Sequence, residues 1–323
     1  QTYTPNIELL GEITNSKNIS IRTFWRVWSL RRKLQSLKPC LVLSQGAGGC
    51  IYLYLATLFT KIPYATYIHG TIFWFPNETL KYTHTFRRVF GEIRNSVVGH
   101  QQFIPVASPH LTLWGRLLDE VIAALEYLAV RKAKRIFVLS SQMAWEVKKL
   151  YGKIAVPVRG AFHDSIFSYQ SVRDIKAELG LVGKQIILNI NRLDPRKRVD
   201  LLIRGFKRIT ERQDDIVLLI GGVGPEEAKL RNLAQSLGIQ DRVRFLGFIE
   251  EEELWDYYAA CDVFAHPNWA DFALAPFEAL AMQKKVVWSS EMELDVDLAR
   301  NPHIFPADPT AEAISDALER ALT

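Results

Sequence analysis

Cysteine is scarce in this chain of 323 residues: Cys40, Cys50 and Cys261 are odd in number and lack metal-ligand spacing. That argues against a disulfide framework or a zinc site and predicts free thiols in a reducing compartment. Long apolar runs are missing too. The longest, around Cys50 to Phe59, is well short of the roughly 18–20 residues that a spanning helix needs, and it reads as a core helix. Gln1 opens a polar stretch without a basic start and an apolar middle, so no cleavable leader is expected. No Gly-Lys-Ser/Thr follows a glycine turn, which excludes a P-loop. Acid is thin in the first half. Residues 1–170 hold 9 Asp/Glu against 21 Lys/Arg, a net of +12, whereas residues 171–323 hold 26 against 19, a net of −7, within an overall +5. The first half is therefore expected to meet something anionic: nucleic acid, lipid headgroups or a phosphorylated substrate.

What is present is an ordinary globular composition, 48% apolar and 23% charged, in a chain long enough to divide into two cores. From residue 185 the pattern alternates regularly. "QIILNI", "DIVLLIGG", "RVRFLG", "DVFAHP" and "KKVVWSS" read as buried strands, with helices in "VDLLIRGFKRITER", "PEEAKLRNLAQSLG", "EEELWDYYAAC" and the run from Ala275. Strand–helix alternation predicts an α/β fold with a parallel sheet covered on both faces. In the first half "CLVLSQ", "PYATYIHG" and "RIFVLSS" read as strands, with helices at 48–60, 116–133 and 141–151. A long aromatic and basic segment from His69 to Gly115 reads as a functional or mobile insertion. No strand and glycine-rich turn precede residue 20, so the first domain is read as lacking its first strand. The division is placed near residues 164–175, giving domains 1–168 and 169–323.

Three strand-to-helix loops of the second half carry candidate chemistry. "NINRLDPRKRVDLLI" puts Arg192 and Lys197 before a helix, at the sheet edge where open α/β folds bind ligands. Cations there oppose the helix dipole, which a bound anion would explain; a solvated cluster is the plainer account. Gly222 and Gly224 follow the next strand and either admit a ligand to backbone amides or simply make a tight turn. In "HPNWADFALAPFEALAM" a helix begins near Ala275 and Pro276, so Glu278 falls in its first turn, able to accept two hydroxyls of a ribose or merely to suit the dipole. Taken together, cations, a glycine turn, helix-start amides and a diol-binding acid at successive strand ends describe a nucleoside diphosphate site.

These motifs resemble the retaining glycosyltransferases of family 4, or group 1, over residues 185–290, and more loosely back to "YIHG" and "VLSSQMAWEVKKLYG". The family's Gly-Arg-Leu…Lys-Gly segment is similar to "NRLDPRKR", its Gly-x-Gly-Pro turn to "GVGP", and its Leu-Gly with a following base contact to "LGFI", which carries Phe248 and Ile249. Its Glu-x7-Glu segment is similar to "ADFALAPFE", with Glu278 as the ribose binder. The first glutamate of that pair, which lies by the donor sugar, falls on Ala270, with Asp271 beside it; Ala273 stands where a glycine is expected, and so does Asn191. His69 matches a histidine placed beneath the donor sugar. The resemblance implies the GT-B fold, two Rossmann-like doubly wound domains facing a cleft, the first binding the acceptor and the second the nucleotide sugar. It implies His69, Arg192 and Lys197 as catalytic residues. Gly222, Gly224, Phe248, Ile249, Asp271, Phe272, Ala273, Leu274, Ala275 and Glu278 would bind the donor.

The expected activity is retaining hexose transfer from a nucleotide-diphosphate sugar to a lipid-linked or glycan acceptor, with no cofactor and no metal. The competing expectation is a non-catalytic nucleotide-sugar-binding protein, with Ala270 as its symptom. Nucleic acid is not an expected partner, because the basic residues lie scattered among Trp and Phe without a recognition motif. An anionic membrane surface suits basic and aromatic residues together, in "RRK" at 31–33, "FRRVF" at 86–90 and "RKAKR" at 131–135. The expected location is cytoplasmic, peripheral on the inner face of a membrane.

Overall fold

Apolar runs too short for helices and amphipathic stretches too long for strands alternate along the chain, and the computed structural model turns them into two parallel sheets. It describes residues 21–69, 83–97, 112–268, 273–292 and 298–323. The chain divides into two units, Gln1–Arg159 and Gly160–Thr323.

The first unit comprises α1 (Ile21–Leu37), β1 (Val42–Gln45), α2 (Gly46–Thr57), β2 (Tyr64–Ile68), α3 (His84–Val97), α4 (Leu113–Lys132), β3 (Arg135–Val138), α5 (Ser141–Tyr151) and β4 (Val156–Pro157). Its described strands pair in parallel in the order β1-β2-β3-β4. The segment read as an insertion contains α3 and the start of α4, while residues 70–82 and 98–111 lie outside the described ones. Polar side chains set the helix starts: Thr112 accepts from the Gly115 amide and Ser140 from that of Met143, both at 3.2 Å. The core joins Cys50, Leu53 and Ala56 of α2 to Ala65, Ile68, Ile136 and Val138 of the sheet. Two acids, Glu126 and Glu146, are buried in this unit. Glu126 of α4 is buried and accepts a hydrogen bond from the Tyr151 hydroxyl at 2.6 Å.

The second unit comprises α6 (Ile175–Glu178), β5 (Gln185–Ile190), α7 (Val199–Thr210), β6 (Ile216–Gly221), α8 (Glu227–Ser236), β7 (Val243–Gly247), α9 (Glu251–Ala260), β8 (Val263–His266), α10 (Ala275–Ala281), β9 (Lys285–Ser289), β10 (Ile304–Ala307) and α11 (Ala311–Leu322). All six strands are parallel, in the order β10-β9-β8-β5-β6-β7. β5 is thus central: the chain steps outward through β6 and β7, then returns to the other side of β5 with β8. This is the doubly wound Rossmann order, whose reversal between β5 and β8 is where such sheets hold ligands. Alternation along β5 and β6 fills both faces. Ile187, Leu218 and Ile220 pack with α7, α8 and α11, while Ile186, Leu188 and Leu219 pack with α9 and α10.

The division falls at Arg159/Gly160 rather than at 168/169, because the intervening stretch is tied into the second unit. Ile166 is buried in the 3-10 turn Asp164–Ser168, which packs against α10. Asp256 of α9 accepts from the Tyr169 hydroxyl (2.9 Å), the Ser171 hydroxyl (2.7 Å) and the Val172 amide (2.9 Å).

Candidate functional site

β5 and β8 pair by backbone at Ile187↔Val263 and Leu188↔Phe264. Nearer their carboxyl ends the link is through side chains. The Asn189 amide donates to the Ala265 carbonyl at 2.7 Å, and Asn268 Nδ2 donates to Asn191 Oδ1 at 3.4 Å. The loops that follow these two strands hold most of the residues singled out from the sequence.

The loop after β5 is built rigidly. Leu193 is fully buried and anchors it to the core. Its amide donates to the Val223 carbonyl, and its carbonyl accepts from the Glu226 amide. The glycines of the neighbouring turn make this approach possible. A Cβ on Gly222 would lie 1.8 Å from the Asn191 carbonyl oxygen, and one on Gly224 would lie 2.2 Å from that of Leu193. Their conformational freedom is used between the two loops, which is the tight-turn reading extended across a sheet edge.

Four cations crowd this loop, in unlike states. The Arg196 guanidinium clasps Asp194 with Nε at 3.1 Å and Nη2 at 2.9 Å. Arg198, with φ at +50°, reaches Glu291 in a pair that is nearly buried on both sides. Arg192 is exposed and has no carboxylate partner among the described residues. Lys197 is half-buried at the end of the 3-10 turn Pro195–Lys197. Its charge acts on His266, the fully buried last residue of β8, whose imidazole is held well below its ordinary range by burial first and by Lys197 second. That ring is therefore neutral at pH 7. Neither of its nitrogens has a hydrogen-bond partner among the described residues.

After β8, residues 269–272 lie outside the described ones, so Asp271 and Phe272, like Ala270, receive no placement. The chain returns with Ala273, Leu274 and Ala275, which lead into α10. Ala273 and Ala275 pack on the core beneath. Glu278 is half-buried in the first turn of α10, and its Oε2 accepts from the Tyr258 hydroxyl at 3.1 Å. Burial pushes this carboxyl above its usual range, Tyr258 opposes the shift by donating to the charged form, and the nearby Glu251 charge adds to it. At the end of β7, Phe248 is 67% exposed, while Ile249 lies against Gly221. The carboxyl edge of this sheet thus gathers Arg192, Lys197, Gly222, Gly224, Phe248, Ile249, Ala273, Leu274, Ala275 and Glu278. His69 belongs to the first unit, just beyond β2, exposed and with its ring centroid 4.2 Å from that of Tyr67. Partial burial lowers its imidazole below the ordinary range.

Residues 171–323 match the family model of the glycosyl transferases group 1. The second unit is a group 1 glycosyltransferase domain. A chain segment of 217 residues is 26% identical to an uncharacterized glycosyltransferase of Methanocaldococcus jannaschii, covering 64% of this chain and 55% of that protein. A segment of 156 residues is 35% identical to the D-inositol 3-phosphate glycosyltransferase of Mycobacteroides abscessus, covering 45% and 34%. The chain thus spans about half the length of the first of these relatives and about a third of the second. Among solved structures, a Rickettsia africae glycosyltransferase superimposes with a TM-score of 0.68 at 16% identity, over 96% of this chain and 73% of that one. Anabaena HepE in complex with UDP gives 0.64 at 15%, over 92% and 72%. The fold is GT-B.

Within the glycosyltransferase domain, Tyr258, His266 and Asn268 are residues of the candidate site that sequence reasoning missed. Tyr258 stands on a different helix from the acid it touches, and His266 and Asn268 flank Pro267 with no spacing that marks them. The signal for Asn268 is its position: it follows the strand next to β5, as Asn191 follows β5 itself.

Proposed function

We propose that the chain is a retaining glycosyltransferase that moves a hexose from a nucleoside diphosphate sugar to a lipid-linked or glycan acceptor. One observation carries the reading. Arg192 and Lys197 lie in the loop that follows β5 at the sheet reversal, where such sheets hold ligands; Arg192 is exposed with no carboxylate partner among the described residues, while the neighbouring Arg196 and Arg198 pair with Asp194 and Glu291. The bond from the anomeric carbon to the diphosphate oxygen breaks as a bond to the acceptor oxygen forms on the same face of the sugar, and the acceptor hydroxyl's proton leaves on the diphosphate. Arg192 and Lys197 stabilise the charge that builds on the diphosphate, and fixed charges of this kind usually supply the largest catalytic term. With two cations in that role the reaction needs no metal. Glu278 takes the ribose hydroxyls, Phe248 and Ile249 meet the base, and His69 serves beneath the donor sugar. HepE, a fold relative, was solved with UDP and with UDP-glucose, which supports the ligand class.

The acceptor side favours an anionic membrane surface and a peripheral, cytoplasmic-face location. No helix among the described residues is long and apolar enough to cross a membrane. α1 exposes Phe24, Trp25 and Trp28, with the Arg32 guanidinium 4.0 Å over the Trp28 ring. α4 exposes Leu113, Trp114 and Leu117 around Arg116. Each helix leads directly into a strand of one parallel sheet, α1 into β1 and α4 into β3. Aromatic side chains and arginines displayed together suit a lipid–water interface.

The second reading, a binding protein without catalysis, is favoured by Ala270 standing where the family has an acid. A panel of nucleotide sugars, scored for binding and for slow release of free sugar without acceptor, separates the two. Turnover of at least one donor is expected. Binding with no hydrolysis and no transfer to any acceptor would leave the non-catalytic protein.

A further inference from the structure

Glu278 is a poor diol binder on burial alone, because a desolvated carboxyl favours the protonated form, which accepts hydroxyls weakly. Among the described residues, its surroundings oppose that tendency at a single point. The Tyr258 hydroxyl donates to Oε2 at 3.1 Å, and Oε1 takes no hydrogen bond from the described residues. Tyr258 is itself fully buried on α9, its ring set edge-on to Phe264 of β8 with centroids 5.3 Å apart. A donor fixed in the core therefore orients a carboxylate at the rim.

We propose that Tyr258 is the positioning residue of Glu278: its buried hydroxyl pins one carboxylate oxygen, sets the side-chain rotamer, and leaves the other oxygen to receive the vicinal hydroxyls of a ribose. This rests on the nucleotide reading of Glu278 given above. Tyr258 touches no substrate. It acts by holding the carboxylate in one orientation and in its charged form, so the diol meets an acceptor already aimed and ionised. Two hydroxyls donating to an ionised carboxylate make charge-assisted hydrogen bonds, roughly twice as strong as neutral ones.

The electrostatic side of the inference is defined by what packs around α10. Tyr258 and Glu251, both on α9, act on the carboxyl, the first favouring its ionised form and the second disfavouring it. The other titratable residues on elements that face α10 are Glu252, Glu253, Asp256 and Tyr257 on α9, Asp164 in the 3-10 turn, His266 on β8 and Lys285 on β9. Deleting the Tyr258 hydroxyl removes the one hydrogen bond from the described residues that favours the charged form. Glu278 then titrates at higher pH, and nucleotide affinity, which is lost as pH falls through that titration, is lost earlier on acidification.

The test uses the full chain and its Tyr258→Phe variant, which deletes one oxygen and keeps the buried ring; thermal midpoints are recorded alongside. UDP, GDP and ADP are titrated against both proteins, together with the 2′,3′-dideoxy counterpart of whichever binds best. Tyr258→Phe should lower the preference for the ribose form by about five- to tenfold, the weight of one hydrogen bond, while dideoxy affinity holds. The Glu278 carboxyl titration, followed by carbon-13 NMR without ligand, should move to higher pH in the same variant. Glu278→Gln is the reference. If Glu278→Gln keeps the ribose preference, the nucleotide reading of Glu278 fails. If Glu278→Gln loses the preference but Tyr258→Phe keeps both the preference and the titration midpoint, Tyr258 only fills the core and the inference is overturned.

Discussion

Replacing each cation of the loop after β5 in turn, Arg192, Arg196, Lys197 and Arg198 to alanine, should produce three different outcomes from one short segment. On the function proposed above, Arg192 and Lys197 face the diphosphate, so losing either removes a charge aimed at it as it departs. Turnover should fall by about 10²–10³-fold, or roughly 3–4 kcal/mol of transition-state stabilisation, with the fold intact. Arg196 is already neutralised by its two contacts with Asp194, at 3.1 and 2.9 Å, so its loss should cost less than about tenfold. Arg198 and Glu291 are 14% and 11% exposed, and breaking a buried pair from one side leaves an uncompensated charge that costs about 3–5 kcal/mol of stability. Arg198→Ala should therefore appear in urea unfolding, with near-normal turnover in whatever protein remains folded. Initial rates of nucleoside diphosphate release, measured beside unfolding curves, read both quantities. Equal rate losses in all four variants, or none in Arg192→Ala and Lys197→Ala, would refute the assignment of roles.

Burial pushes Glu126 up to about 7, against an unfolded value of 4.5, so its contribution to stability is complete below pH 4.5 and is lost as pH rises through about 7. The loss is on the order of 3 kcal/mol, and Glu126→Gln should flatten it in urea unfolding between pH 4.5 and 8; parallel wild-type and variant curves would rule this out. Sedimentation with vesicles should show tighter binding to anionic than to neutral lipid, weakening as salt rises, and Trp25→Ala with Trp114→Ala should reduce it. Equal partitioning to both vesicle types would assign the basic first half to a soluble anion instead.

The second unit was largely legible in the sequence, because buried parallel strands are continuous apolar runs and the helices between them repeat at helical spacing. "QIILNI" and "KKVVWSS" became β5 and β9, and the acid at 278 fell in a first helical turn as its distance from Pro276 required. β10 and α11 were not read, since "IFPA" is short and contains a proline that suits only an edge, which is where β10 lies. The order of the strands was not legible in detail either, because pairing across the sheet leaves no local signal. Neither were the states of the cations: Asp194 sits beside Arg196 in sequence, but Glu291 is 93 residues from Arg198. The glycines were found but their neighbours were not, since the backbone they admit belongs to another loop. Asp271 and Phe272, with Ala270, stay an expectation from sequence, as they lie outside the described residues.

Because Gly222 and Gly224 let the turn after β6 close onto Asn191 and Leu193, the two loops share backbone hydrogen bonds before any ligand arrives. A loop that must be ordered on binding forfeits about 1–2 kcal/mol for each residue whose backbone it fixes. Here that ordering has already happened during folding, so a diphosphate would meet a finished cradle. Its arrival would be limited by encounter, not by a closing motion of this segment. The same interlock transmits insult as readily as order: a side chain forced onto either glycine would push back the loop that carries Arg192 and Lys197, disabling charges it never touches.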